Sequence, residues 1–92
     1  MTREECLKAA DRCVNGERDE QYGSPENNFR LIANLWMNYI DAKGWTIEIA
    51  SYDVACMLAL LKIARIATGQ PKEDNWIDLA GYAACGCEIQ TL

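Results

Sequence analysis

Val54-Ala55-Cys56-Met57-Leu58-Ala59-Leu60-Leu61-Lys62-Ile63-Ala64-Arg65-Ile66-Ala67 is apolar at every position except Lys62 and Arg65. Its length and lack of breakers predict a helix, capped by Ser51 and running to about Thr68 before Gly69. A helix apolar nearly all round is either central in its domain or part of an oligomer interface. Two cations and a modest length make the run too charged and too short to span a bilayer. The chain is therefore expected to be soluble and, with no signal-peptide pattern at its start, cytoplasmic.

The pattern repeats further along. After a loop over Gln70 to Glu73, Asp74 is the expected cap of a final helix from near Asn75 to about Gln90. That helix is rich in small residues: Ala80, Gly81, Ala83, Ala84, Cys85, Gly86 and Cys87. A glycine inside a helix costs about 1 kcal/mol relative to alanine, so Gly81 and Gly86 imply close approach of another backbone or a ligand. Upstream, Thr2 and Glu5 have the spacing of a capping box, followed by Cys6, Ala9, Ala10, Cys13 and Val14 at helical spacing, with Gly16 as the stop. Ser24-Pro25 reads as cap and first residue of a second helix, with Phe29, Ile32, Ala33, Trp36, Tyr39 and Ile40 as its apolar stripe and Gly44 as its end. Trp45 to Ala50 is a short connector. Most aromatic residues sit on these stripes and read as core; Tyr22, beside Gly23 in a loop, is the exception.

The expected fold is all-α, a compact four-helix domain over residues 1–92. Two of the helices lack a wholly polar face, which predicts a homo-oligomer, with a dimer the simplest form. The alternative is that the first two helices cover both. Half of the 92 residues are hydrophobic and a quarter charged, a globular balance, and the net charge is -5. Such a surface repels a nucleic-acid backbone, so non-specific DNA or RNA binding is disfavoured, while a protein partner or a small anion in a local basic pocket is compatible with it. The five cysteines are an odd number among apolar neighbours and read as reduced thiols. Cys85 and Cys87 point about 200° apart around a helix, a poor metal clip. The absence of histidine excludes His-dependent catalysis and Cys/His zinc sites.

Lys62 and Arg65 are three apart and share a helix face. Asp74, Asp78 and Tyr82 form one stripe on the last helix. If the two helices are antiparallel neighbours, Asp78 is the natural partner of Lys62 or Arg65. One reading is an ion pair that fixes helix register. The other is a polar pocket in which Lys62 and Arg65 bind phosphate, Asp78 positions a metal or a base, and Tyr82 and Tyr22 contact the ligand. The acidic connector adds Glu17, Asp19, Glu20 and Glu26. It is either a solvated loop or, with a ligand's phosphates, a source of Mg²⁺ ligands.

The segments Arg18 to Phe29, Asp53-Val54-Ala55, Leu61 to Ile66 and Asp74 to Ala83 resemble a family of small phage and prophage proteins. More distantly, the Tyr-Gly loop, the Lys-x-x-Arg helix and the Asp-x-x-x-Asp…Tyr-Ala helix are similar to phage nucleotide-modification-associated domains, and through them to MazG-like all-helical nucleoside triphosphate pyrophosphohydrolases. The resemblance implies MazG-like helical packing, nucleotide binding or Mg²⁺-dependent release of pyrophosphate from an NTP, and Asp78 in the place of the last metal-binding aspartate. The metal set it suggests is Asp78, Asp74, Glu20 and Glu26. The chain departs from those enzymes on its third helix, where Lys62 and Arg65 stand in place of acidic ligands. A nucleotide binder without hydrolysis fits that departure. The alternative function is a non-catalytic phage anti-defence protein, which inhibits a CRISPR or other host nuclease effector or sequesters a signalling nucleotide.

Overall fold

The computed structural model describes residues 1–16, 20–21 and 23–92. Among them are four long α-helices and no strand: α1 Arg3–Asn15, α2 Pro25–Ala42, α3 Ser51–Thr68 and α4 Glu73–Gln90. The first two start where the sequence places them. Thr2 and Glu5 close a reciprocal capping box, with the Glu5 amide donating to Thr2 Oγ1 at 3.1 Å and the Thr2 amide to Glu5 Oε1 at 3.2 Å. Ser24 caps α2 by accepting from the Asn27 amide at 3.4 Å, and Pro25 occupies the first turn, where its missing N–H is no loss. Gly44, at φ 97°, takes the left-handed conformation that lets the chain leave α2.

The other two starts differ from expectation. Ser51 lies inside α3. Ala50 holds the cap position, and Asp53 Oδ2 accepts its amide at 2.8 Å. The carboxylate at the third helical position thus takes the N–H of the cap residue, one half of a capping box, while the apolar Ala50 side chain cannot supply the other half. In α4, Asp74 is already helical and Lys72 takes the cap. The last loop is thus short, and α3 and α4 form a tight antiparallel hairpin.

α4 is the central element and touches all three other helices; α3 packs on α4 and α2, and α1 packs on α4 alone. The largest core cluster gathers Phe29 and Ala33 from α2, Ile49 from the connector before α3, Val54 and Ala55 of α3, and Cys85 of α4. A smaller one joins Ala9 and Ala10 of α1 to Ile77 of α4. The two α4 glycines serve one neighbour each. A Cβ on Gly81 would lie 3.0 Å from Val14 Cγ1 of α1, and one on Gly86 would lie 3.1 Å from Ala55 Cβ of α3. The close approach anticipated there is by neighbouring helices.

The aromatic residues depart from the core reading. Phe29 is buried and Trp36 and Tyr82 are half-buried, but Tyr39, Trp45, Tyr52 and Trp76 are exposed. The α2 core face runs through Phe29, Ala33 and Ile40, and Tyr39 is turned about 100° from Ile40. None of the five cysteines forms a disulfide. No described helix is long and apolar enough to cross a membrane.

Candidate functional site

The α3–α4 hairpin brings Lys62 and Asp78 together, as an antiparallel register folded about residue 70 requires. Lys62 Nζ lies 2.7 Å from Asp78 Oδ2. The ammonium end of an otherwise apolar helix is turned inward, and the side chain is 11% exposed against 36% for Asp78. A cation this enclosed needs a carboxylate at contact distance to offset its lost hydration. The register-fixing ion pair therefore exists. It also forms one wall of an open cleft.

That cleft, of about 440 Å³, lies between the C-terminal end of α3 and the N-terminal end of α4. Lys62, Arg65, Lys72, Asp74, Asn75 and Asp78 line it, with Thr68, Gly69 and Gln70 at its floor and rim. Three cations against two carboxylates leave one net positive charge there, in a chain whose net charge is -5. Arg65 is exposed, and neither it nor Lys72 makes an ion pair among the described residues. Asn75 is buried, 9% exposed, and its carboxamide has no hydrogen-bond partner among the described residues. Its backbone N–H donates to the Lys72 carbonyl at 3.3 Å. The uncommitted guanidinium and ammonium, with the Asn75 carboxamide beside them, make a set of donors suited to an anion with several oxygens.

Asp78 also borders a second space on the other side of α4. This cavity, of about 40 Å³, is lined chiefly by Val14, Pro25, Phe29, Ile77, Gly81 and Tyr82. Its enclosed part has room for about one water molecule.

Of the residues singled out by sequence, Lys62, Arg65, Asp74 and Asp78 share the cleft. Tyr82 faces the small apolar cavity instead. Tyr22 lies outside the described residues, as do Glu17 and Asp19 of the acidic connector. Glu26 is taken up by Arg30 on its own helix, Oε1 to Nη2 at 3.1 Å, and Glu20 is exposed. Among the described residues no three Asp, Glu, Cys or His side chains gather where one metal ion could sit. Sequence reasoning missed Lys72 and Asn75. The signal was available: a short hairpin loop folds the residues just after Gly69 back beside Arg65.

Together these features describe an all-helical domain with a basic cleft at the mouth of a helical hairpin. Residues 5–90 match the family described as a domain of unknown function, DUF6378, and the chain belongs to it. It is 40% identical over 82 residues to the Gene 55 protein of Mycobacterium phage D29, covering 89% of this chain and 51% of that protein. It is likewise 40% identical over 77 residues to the Gene 55 protein of Mycobacterium phage L5, covering 84% and 47%. The chain thus spans about half the length of these curated relatives. No solved structure matches it.

Proposed function

We propose that this is a phage-type domain that binds a nucleotide or similar phosphorylated ligand through the cleft at the α3–α4 hairpin. The observation that carries the reading is the pair of uncommitted cations, Arg65 and Lys72, over the first turn of α4 in an acidic protein. Arg65 would meet phosphate oxygens with its two-pronged guanidinium and Lys72 would add a point charge. The Asn75 carboxamide would donate to an oxygen deeper in the cleft. Lys62, already neutralised by Asp78, would shape the wall more than it attracts the ligand. A MazG-like ancestry accounts for the Lys-x-x-Arg and Asp-x-x-x-Asp…Tyr-Ala spacings, and the phage relatives support a phage setting in a host cytoplasm.

The cleft does not fit a protein-built Mg²⁺ centre. Asp74 is its one carboxylate without a cation at contact distance, and an octahedral ion wants more oxygen ligands than that. Mg²⁺ would reach the protein with the ligand's phosphates, touching Asp74. Binding without hydrolysis is therefore the form proposed, and no hydrolytic step is assigned to Asp78. Calorimetry with a panel of nucleoside mono-, di- and triphosphates and cyclic nucleotides tests this. Heat of binding that disappears in Arg65→Ala supports it. No binding by any of them removes the nucleotide reading and leaves the accessory-protein reading, tested by co-elution with a host nuclease. Pyrophosphate release from an NTP above that of Asp78→Ala would restore hydrolysis.

A further inference from the structure

α3 buries Val54, Ala55 and the charged Lys62 but leaves large apolar side chains on its outer face. Lys62 is buried against α4, while Leu60 is 61% exposed and Ile63 48% exposed. Lys62 and Leu60 are separated by about 200° around the helix, so the charged position faces the protein and the leucine faces away. The outward stripe continues as Tyr52, Cys56, Met57, Leu60, Leu61 and Ile63, all exposed, and extends through Ala64 and Ala67. Lys62 and Arg65 lie behind it, and its one charged residue, Asp53, stands at its N-terminal end.

We infer that this outer face of α3 is the interface of a homodimer, in which α3 packs against the α3 of a second copy. A monomer of this size rarely leaves so continuous an apolar surface in water. At these fractional exposures the side chains offer roughly 600 Å², against about 800 Å² per partner in a standard interface, and flanking residues supply the rest. A second copy fits the chemistry. The chain carries a net charge of -5, yet the one carboxylate on this face is Asp53, in the first turn of α3, so two copies packed antiparallel about Leu60 keep it away from its like. Small residues, Cys56, Ala64 and Ala67, alternate with Leu60 and Ile63, which lets one ridge settle into another in a two-fold, self-complementary packing. This interface is independent of the cleft and stands whether or not a nucleotide binds.

Sedimentation equilibrium of the 92-residue chain, from about 1 to about 100 µM, tests it over the range where a modest apolar interface associates. The expected mass approaches twice 10.3 kDa at the upper end, whereas 10.3 kDa throughout overturns the proposal and leaves the face to a further segment or another protein. The double variant Leu60→Asp, Ile63→Asp is expected to be monomeric with unchanged helical circular dichroism. A dimer that survives it places the interface elsewhere and also overturns the proposal. If the double variant unfolds, Leu60→Ala decides: association about tenfold weaker supports the interface, and unchanged association contradicts it.

Discussion

Lys62 is the residue on which both readings of this molecule meet. Its 2.7 Å contact with Asp78 is a structural ion pair, and the same pair walls a cleft that Arg65 and Lys72 also line and where the proposed ligand would bind. The two roles respond differently to substitution. Asp78→Ala strands a buried ammonium and is expected to lower the unfolding free energy in urea by about 2–3 kcal/mol, less than for a fully buried pair because water reaches Asp78. Replacing both partners, Lys62→Met with Asp78→Leu, removes the desolvation cost with the attraction and is expected to be near neutral. A double variant as unstable as Asp78→Ala would show that the pair contributes more than charge compensation. The pairing itself was legible in the sequence, since two cations in an apolar helix need a carboxylate from a neighbour. What could not be read was which cation would be taken. The hairpin register decides that, and it leaves Arg65 in solvent.

The helices show where sequence signals are local and where they are not. Gly86 and Gly81 announce close packing, but only the fold assigns Gly86 to Ala55 of α3 and Gly81 to Val14 of α1. Gly86→Val would drive a branched side chain into Ala55, and the loss of packing, offset in part by better helix propensity, is expected to cost about 2 kcal/mol in chemical denaturation. A gain in stability would mean that the helices separate freely there. The start of α1 adds a pH dependence. Hydrogen bonds from Thr2, side chain and then backbone, hold the Glu5 carboxyl below its ordinary value. A depressed carboxyl stabilises the fold above its unfolded value, and that stabilisation fades as pH falls through the folded one. The stability advantage of the wild type over Thr2→Ala should thus be present at neutral pH and shrink in acid; an advantage independent of pH would separate Glu5 from the cap. Capping boxes and Ser-Pro starts are visible because their partners lie within four residues. The α3 start was misplaced by one position because Ala50, a poor cap, is rescued by Asp53. The exposure of Tyr39, Tyr52 and Trp76 was hidden because it depends on which faces the other helices cover.

At the scale of the whole molecule the helices do not close around one centre. The radius of gyration is 14.3 Å and the body measures 45 × 31 × 23 Å, where a spherical domain of this length has a radius of gyration near 12 Å. An elongated body whose α3 leaves its outer face uncovered suits the proposed pairing with a second copy, and the cleft sits at the hairpin end. Because the cleft's attraction is electrostatic within an acidic molecule, ligand affinity should fall as salt rises, and titrations at two salt concentrations check this. The most direct test of the central claim is a titration of the isotope-labelled chain with ATP and with ADP, followed by amide chemical shifts. The account predicts saturable shifts concentrated at Arg65, Gly69, Lys72 and Asn75, and their loss in Arg65→Ala while the rest of the spectrum stays in place. Shifts spread over other faces, or a full response in the Arg65→Ala protein, would contradict it.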